Sequence, residues 1–184
     1  MAKDKVLILP GLQGSRHSQW QSIWADKHAY QVLEQHDWTR PLRGDWLVRL
    51  EDVISHLTEP TYLVAQGLAC IQVAAWAVFS AHAAKVKGAF LVAPVDVEAP
   101  HWAHALSSWR PVEMKVLPFR SVLIGAPNDP DCSPERAKAF ADAWGSASKE
   151  AAMIDQVSAE SNVGEWSWGH ALFKEMMKEN QNGH

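Results

Sequence analysis

An apolar segment, a tight turn and a second apolar segment meet at Ala65-Gln66-Gly67-Leu68-Ala69. A strand that ends in a sharp turn and continues directly into a helix is where many hydrolytic enzymes hold a nucleophilic serine. Their pattern is Gly-x-Ser-x-Gly, with small flanking residues because the turn is crowded. The outer positions are small here, but the central residue is Gly67. We therefore expect the turn to form without a nucleophile.

The segments around this turn alternate between short apolar runs and longer amphipathic runs, which is typical of parallel strands joined by crossover helices. We predict an α/β three-layer sandwich with a mostly parallel sheet of about six strands. The predicted strands are Lys5–Leu9, Val32–Gln35, Thr61–Ala65, Val86–Ala93, Ser121–Gly125 and Ala151–Ile154. The predicted helices are Ser18–Lys27, Trp46–Leu57, Cys70–Ala83, Pro134–Trp144 with Ser133 as its cap, and Trp166–Lys178. The segment from Pro94 to Pro118 has no clean period and is expected to pass irregularly over the strand ends.

Several sequence blocks, in order along nearly the whole chain, are similar to those of a known family. They are Leu9-Pro10-Gly11 with Gly14-Ser15 and Trp20; Leu63-Val64-Ala65 to Trp76; Gly88 to Pro94; Leu117-Pro118-Phe119; Asn128-Asp129-Pro130 with Cys132-Ser133 and Glu135-Arg136-Ala137; Ala143-Trp144-Gly145; and Ala159-Glu160-Ser161. Together they resemble the small serine hydrolase family of the α/β-hydrolase superfamily that includes retinoblastoma-binding protein nine. The resemblance implies the α/β-hydrolase fold.

Members of that family carry His-Ser-Leu-Gly at the turn, an aspartate in Asn-Asp-Pro and a histidine in Gly-His-Ile-Asn-Ala-Glu-Ser. The resemblance places the nucleophile position on Gly67, the acid on Asp129 and the base on Gln156. A serine hydroxyl is a poor nucleophile until an imidazole takes its proton, and the carboxylate acts only through that imidazole. Glutamine accepts no proton near neutral pH. The resemblance therefore implies a degenerate triad and no esterase activity.

Other residues could in principle replace the missing groups. The candidate nucleophiles are Ser15, Cys70, Cys132 and Ser133, and the candidate bases are His101, His104 and His170. The simplest interpretation of each is structural: a loop hydroxyl, a buried thiol, a helix cap, or a surface or packing histidine. His101 and His104 could share a helical face, but no third ligand at metal spacing supports a zinc site, so we predict no metal and no cofactor.

The backbone of the site does not depend on the lost side chains. The turn Pro10-Gly11-Leu12 resembles an oxyanion loop, whose N–H at Leu12 would act together with that of Leu68 on an oxyanion or a carboxylate. Gly67 leaves space where a serine side chain would stand, so we predict a small carbonyl-bearing or anionic ligand. Trp102 and Trp109, in the irregular segment, are candidates for lining its pocket.

Composition limits the remaining possibilities. A chain of 184 residues with 47% hydrophobic content supports a single domain, 1–184, with one core. A net charge of −4 without a basic stripe gives no support for nucleic-acid or membrane partners. The uncharged run from Thr61 to Ala84 is interpreted as a buried strand and helix rather than a membrane span. With only two cysteines and no signal peptide, we expect a cytoplasmic protein.

Three functional hypotheses follow. The leading one is a pseudoenzyme that binds a small molecule or a protein partner without hydrolysing esters or amides. The second is an active, carboxylesterase-like hydrolase that uses non-family residues, such as water held by Asp129 or a displaced histidine. The third is an interaction module with a closed pocket. Gly67 and Gln156 favour the first hypothesis over the second.

Overall fold

The structure is a computed structural model, and it describes residues 4–12, 14, 19–152 and 164–183. The strands of the described residues form one six-stranded sheet in the order β2-β1-β3-β4-β5-β6, in which every neighbouring pair is parallel. The strands are β1 Lys5–Leu9, β2 Gln31–Val32, β3 Thr61–Gln66, β4 Val86–Val92, β5 Arg120–Gly125 and β6 Ala147–Glu150. The predicted mostly parallel sheet is confirmed.

Helices cover both faces of this sheet. They are α1 Gln19–His28, α2 Arg43–Ser55, α3 Leu68–Phe79, α4 Pro134–Trp144 and α5 Ser167–Asn182. Side chains of α2, α3 and α4 form one buried cluster with one face of the sheet, and side chains of α1 and α5 form a second cluster with the other face. The fold is therefore the predicted three-layer α/β sandwich.

The uncharged run that begins at Thr61 occupies the centre of the molecule. All six residues of β3 are buried, and so is every residue of α3 from Leu68 to Trp76. A strand in the middle of a parallel sheet has helices on both faces, which accounts for its continuous apolar sequence. None of the described helices combines the length and apolar character that crossing a bilayer requires.

Several predicted boundaries agree with the structure because strong local signals mark them. The helix α4 begins at Pro134, and the Ser133 hydroxyl oxygen accepts a hydrogen bond of 3.2 Å from the N–H of Arg136. The same helix ends at Gly145, whose left-handed φ of 71° is suited to glycine. The strand β1 also has its predicted ends.

The prediction of the last strand was wrong. It placed the strand at Ala151–Ile154, whereas β6 is Ala147–Glu150 and Ile154 lies outside the described residues. All four side chains of β6 are exposed, so no apolar pattern marks this edge strand. Ala151 is buried, and its N–H donates to the carbonyl of Gly125 over 2.8 Å just after the strand has ended.

Other boundaries also differ from the prediction: α2 is Arg43–Ser55 rather than Trp46–Leu57, and α5 extends to Asn182 rather than Lys178. The other edge strand, predicted as Val32–Gln35, is the two-residue β2, because only Gln31 and Val32 pair with β1. The helix predicted as Cys70–Ala83 is α3, which begins earlier, at Leu68, because Gly67 is its N-cap residue.

The segment between β4 and β5 is irregular, as predicted. Its helical content is limited to two short 3₁₀ turns, Pro100–Trp102 and Ser107–Trp109. The guanidinium of Arg110 donates to the carbonyls of Val97 and Ala99 over 2.6 and 2.8 Å and ties the segment to itself. The N–H of Arg43 at the start of α2 donates to the Ser108 hydroxyl over 3.2 Å, so the irregular segment contacts the first turn of α2.

Candidate active site

The turn between β3 and α3 has the sharp geometry that the sequence predicts. Gly67 has φ 58° and ψ −123°, a conformation that side-chain-bearing residues adopt only under strain. Its N–H donates to the carbonyl of Val92 over 2.9 Å, and its own carbonyl accepts from the N–H of Cys70 over 3.1 Å. The elbow backbone is thus fixed by β4 on one side and by the first turn of α3 on the other.

A side chain at residue 67 would have room for its Cβ atom without a clash. A Cβ atom built on Gly67 would lie 3.7 Å from Cγ2 of Val95 and 4.0 Å from Cα of Gly11, which are ordinary van der Waals distances. At Gly11 the opposite holds, because a Cβ there would lie 2.7 Å from the carbonyl oxygen of Gln66. Only glycine at residue 11 allows the loop after β1 to approach the elbow this closely.

Two backbone donors follow these glycines. Leu68 opens α3, and the first N–H groups of a helix have no acceptor within the helix. Leu12 follows Gly11 in a turn that the N–H of Gly14 closes by donating to the Gly11 carbonyl over 3.2 Å. Because Gly11 and Gly67 are in contact, both donors belong to one small region, which we call the cradle (Gly11, Leu12, Gly67 and Leu68). Such donors favour a carbonyl oxygen or an anion.

Asp129 lies in the loop after β5, two strands away from the elbow. Its N–H donates to the carbonyl of Ala126 over 3.3 Å, and its Oδ1 accepts from the N–H of Asp131 over 2.8 Å. Burial raises the pKa of this half-buried carboxyl group to about 6, and the neighbouring charge of Asp131 acts in the same direction. An aspartate whose pKa is raised this far is a candidate functional group.

The segment after β4 joins the elbow to the acid loop. Val95 contacts the space beside Gly67, and the N–H of the next residue, Asp96, donates to the carbonyl of Asp131 over 2.8 Å. Arg136 on α4 holds this segment in place, because its guanidinium donates to both carboxylate oxygens of Asp96 over 3.0 and 3.1 Å. Gly67 and Asp129 therefore lie at the same edge of the sheet, where the strands end.

A comparison with family sequence models identifies the family of the chain. The sequence model of the serine hydrolase family matches residues 6–175. The chain belongs to the serine hydrolase family. A comparison with curated proteins gives no match.

Solved structures with this fold include bacterial and archaeal hydrolases. A YdeN-like hydrolase from Pectobacterium atrosepticum superposes with a TM-score of 0.82 at 22% identity, over 97% of this chain and 92% of the other. The ydeN gene product of B. subtilis gives 0.63 at 20% identity, over 81% and 85%. A monoacylglycerol lipase from Paleococcus ferrophilus gives 0.66 at 10% identity, over 94% and 93%. These similarities confirm the α/β-hydrolase fold.

In this serine hydrolase fold the catalytic positions were assigned from the sequence as Gly67, Asp129 and Gln156. In the structure Gly67 and Asp129 both follow the carboxyl ends of their strands, β3 and β5. Gln156 lies outside the described residues, as does Ser15. The chain enters that undescribed stretch after β6, the strand next to the one that precedes Asp129.

The other candidate nucleophiles have structural surroundings. Cys70 and Cys132 are both buried, and burial raises the pKa of the Cys70 thiol well above its usual range. Burial also raises the pKa of Cys132 to about 12, with Asp129 as a further cause. Both thiols are therefore neutral at physiological pH and weakly nucleophilic. The hydroxyl of Ser133 is occupied as the cap of α4.

The candidate histidines lie in different surroundings. Nε2 of His101 donates to Oδ1 of Asp131 over 3.1 Å, a pairing across 30 positions of sequence that sequence reasoning did not find. His104 is exposed. His170 packs on the other face of the sheet, with its ring stacked 4.1 Å from that of His28, and burial lowers its pKa to about 4. Among these three, only His101 has a described contact with the acid loop.

The two tryptophans assigned to the pocket differ in exposure. Trp109 has no exposed surface, and its indole N–H donates to the carbonyl of Pro41 over 2.6 Å, so it acts in the core. Trp102 is partly buried against the same core, and its indole nitrogen is buried without a hydrogen-bond partner. Trp102 thus retains an unused donor close to the ring of His101, with 5.3 Å between the ring centroids.

Sequence reasoning also missed the buried side chain of Gln35, because its neighbours Glu34 and His36 are polar and give no sign of burial. Gln35 lies three residues beyond Val32, the last residue of β2 that pairs with β1. Its side-chain amide is buried, and neither its nitrogen nor its oxygen has a hydrogen-bond partner.

A cavity of about 300 Å³ lies at the opposite edge of the sheet, where the strands begin. It is lined by residues that include Asp4, Tyr30, Glu59 and Thr61, and so it is separate from the cradle. Within the described part of the chain, no group of three or more histidine, cysteine, aspartate or glutamate side chains is arranged to hold a metal ion.

Proposed function

We propose that this serine hydrolase family member binds a small carbonyl-bearing molecule in the cradle and does not hydrolyse esters or amides. The observation that carries the proposal is the elbow itself. Gly67 keeps the sharp turn and leaves room for a Cβ atom, but it supplies no atom that could attack a carbonyl carbon. The site keeps backbone N–H groups that can bind a carbonyl oxygen and lacks a nucleophile at residue 67.

The remaining groups support the same proposal. Acyl transfer by a serine hydrolase needs a hydroxyl, an imidazole that takes its proton and a carboxylate that orients the imidazole. Asp129 supplies the carboxylate, whereas the resemblance assigns glutamine to the base position, Gln156. Removing all members of such a triad from a protease lowers turnover by about 10⁶. Backbone donors remain, and they bind a carbonyl oxygen whether or not a reaction follows.

The test combines ester turnover with covalent labelling. The purified chain should hydrolyse p-nitrophenyl butyrate no faster than the uncatalysed reaction in buffer, and neither it nor the Gly67→Ala variant, which adds no hydroxyl, should give an adduct with a fluorophosphonate. An active serine esterase treated in parallel supplies the positive signal. A stoichiometric phosphonate adduct on any residue would refute the proposal, and mass spectrometry would then identify a nucleophile that operates in place of residue 67.

One observation favours a second candidate function, an active hydrolase that uses residues outside the family pattern. The imidazole of His101 is paired with Asp131, and Asp131 contacts Asp129 through its N–H. A histidine held by a carboxylate could take a proton from water. This candidate predicts ester turnover in the native chain that falls at least tenfold in His101→Gln, a loss of about 1.4 kcal/mol in transition-state stabilisation. The Gly67→Ala variant would retain that turnover.

A further inference from the structure

The start of α5 is joined to α1 by a set of contacts on one face of the sheet. The indole N–H of Trp24 donates over 2.6 Å to the carbonyl of Glu165, which lies just before α5. The ammonium group of Lys27 pairs with the carboxylate of Glu165 over 2.6 Å. The imidazole rings of His28 and His170 stack with 4.1 Å between their centroids and 9° between their planes. We call these two residues the histidine stack.

The surroundings of His170 accommodate a neutral ring. His170 is 8% exposed, and its ring meets those of Trp24 and Phe173, with 4.7 and 6.3 Å between the centroids. Its Nε2 atom lies 3.1 Å from the hydroxyl oxygen of Tyr30, which can donate to this nitrogen when the nitrogen carries no proton. A protonated ring would place a positive charge in a largely buried position against a second imidazole, which is unfavourable.

The charged groups around His170 also oppose its protonation. Burial lowers the pKa of His170 to about 4, and three neighbouring groups act in the same direction: His28, Lys174 and Lys27. Glu165 acts in the opposite direction, but its carboxylate is already paired with Lys27. These groups belong to α1, to α5 and to the segment before α5, so both sides of the contact between the helices disfavour a charged ring.

Opening of α5 at His170 is therefore linked to proton uptake. The pKa of a histidine in the unfolded chain is about 6.5, so between pH 6.5 and 4 an opened α5 binds a proton that the closed form does not. The stability that this contact contributes is complete above about pH 6.5 and is lost as the pH falls through about 4. Between pH 7 and pH 5 the opening equilibrium is expected to rise at least roughly tenfold.

The C-terminal end of α5 is held by contacts that involve no histidine. The side-chain amide of Asn180 donates to the carbonyl of Lys87 over 2.8 Å, and that of Gln181 donates to Oδ2 of Asp4 over 2.6 Å. Lys87 also pairs with Asp4 over 3.0 Å. A change in the histidine stack should therefore affect the N-terminal half of α5 first.

We propose that the histidine stack makes the docking of α5 on α1 sensitive to pH, so that the N-terminal half of α5 opens more often in mild acid while the sheet and α4 keep their structure. The stacked rings, the burial of His170 and the cations beside it together make this end of the helix acid-sensitive. The opening requires neither a ligand in the cradle nor a catalytic activity.

Hydrogen exchange of the native chain at pH 7 and pH 5 measures this opening directly. Protection factors, corrected for the intrinsic exchange rate at each pH, are compared between the backbone amides of residues 170–175 in α5 and those of α4. We expect protection in α5 to fall at least about tenfold from pH 7 to pH 5, and protection in α4 not to fall. Unchanged protection in α5, or an equal fall in both helices, would overturn the proposal.

His170→Gln and His104→Gln are matched variants, because only the first removes a ring from the histidine stack, whereas His104 is exposed. A glutamine at residue 170 keeps an oxygen for the Tyr30 hydroxyl and does not titrate. The fall in α5 protection should shrink to less than about twofold in His170→Gln and stay at least about tenfold in His104→Gln.

A second variant covers the case in which His170→Gln does not fold, as a thermal melt would show. His28→Gln removes the stacked neighbour and keeps His170, so the fall in α5 protection should be smaller than in the native chain. A fall of native size in a folded His170→Gln or His28→Gln variant would mean that groups other than the histidine stack cause the opening, and the proposal would then be wrong.

Discussion

The elbow at Gly67 and the loop at Asp129 both follow the carboxyl ends of parallel strands, but they differ in what they supply. The elbow keeps its backbone, with φ 58° and ψ −123°, and has no side chain. The acid loop keeps its side chain, at an energetic cost, since burial and Asp131 raise the pKa of Asp129 to about 6. Glycine adopts the elbow conformation without strain, whereas a half-buried carboxylate beside another carboxylate is destabilising when ionised.

This difference shows that the backbone shape of such a site does not depend on its catalytic side chains. The shape of the cradle depends on close contact between two backbones, Gly11 and Gly67, and it does not require the nucleophile. In a Ser-His-Asp site the chemistry depends on three side chains, and removing one stops the reaction without moving the others. The proposed function requires this chain to keep the backbone shape without that chemistry.

The largest expected effect is the appearance of hydrolysis when serine and histidine are introduced at the positions that the family resemblance assigns to the nucleophile and the base. The double variant Gly67→Ser with Gln156→His should hydrolyse p-nitrophenyl butyrate on the order of 10²-fold faster than either single variant. A serine without a base stays protonated, and a histidine without a serine has no hydroxyl to activate, so the effects should be strongly non-additive. The space beside residue 67 admits a Cβ atom at ordinary van der Waals distances.

The matched control for this experiment replaces the base with a residue that cannot take the proton. Gly67→Ser combined with Gln156→Asn should show only the turnover of the single serine variant. Thermal melts of all variants show whether each is folded. A folded double variant that is no more active than the singles would mean that Asp129 and the cradle do not hold working positions.

A smaller effect, on the free energy of unfolding, is expected from a substitution that disturbs the close approach of Gly11 to the elbow. Gly11→Ala would push a Cβ atom to 2.7 Å from the Gln66 carbonyl oxygen, and neither backbone can move away cheaply. We expect the free energy of unfolding to fall by about 3 kcal/mol, measured by urea denaturation. Gly44→Ala is the control, because a Cβ there meets no atom within 4 Å and α2 should gain about 0.5–1 kcal/mol. Equal effects at both glycines would contradict the close approach.

Much of the fold could be predicted because its signals are local. The cap at Ser133, the first-turn Pro134 and the terminal Gly145 define α4, and the continuous apolar sequence of β3 defines the central strand. The position of β6 could not be predicted, because an edge strand with four exposed side chains has no apolar pattern. Only its pairing with β5 defines it.

The backbone of the elbow could be predicted from the sequence. The small residues around Gly67 indicate the sharp turn, which the structure has, whereas the role of Asp129 as the acid stays a prediction. The pairing of His101 with Asp131 and the burial of the Gln35 amide could not be predicted, because tertiary contacts between distant segments create both. The same limit applies to Trp109, whose sequence context is irregular and whose environment is the core.

A third prediction tests whether the elbow has room for a Cβ atom at residue 67. Gly67→Ala adds a Cβ atom with only ordinary contacts, at 3.7 Å from Val95, so its cost comes from the positive φ of 58°. We expect a loss of about 1–2 kcal/mol in unfolding free energy, less than for Gly11→Ala. Urea denaturation of both variants under one set of conditions checks the order. The reverse order would show that the space beside residue 67 is closed and that the proposed binding site is filled.

The smallest expected effect concerns the charge of Asp129 and its pH dependence. Its pKa of about 6 lies above the unfolded value of 3.8, so the folded state binds more protons between these values. The stability that this group contributes is therefore complete below the unfolded pKa and is lost as the pH rises through about 6. Because the carboxyl group is only half-buried and screened by solvent, we expect Asp129→Asn to raise the unfolding free energy at pH 8 by about 1 kcal/mol.

Asp129→Asn should have almost no effect on the free energy of unfolding at pH 4, because the Asp129 carboxyl group of the folded protein is already largely protonated there. Urea denaturation at both pH values measures the difference, and Asp142→Asn provides a control of opposite sign, since at pH 8 it removes an exposed ion pair with Lys138 worth about 0.3–0.5 kcal/mol. The asparagine oxygen can still accept from the N–H of Asp131, so the loop keeps that hydrogen bond. If Asp129→Asn instead destabilises the protein at pH 8, the carboxylate stabilises the fold as a hydrogen-bond acceptor. The statement that ionised Asp129 destabilises the fold, whereas Gly67 does not, is then wrong.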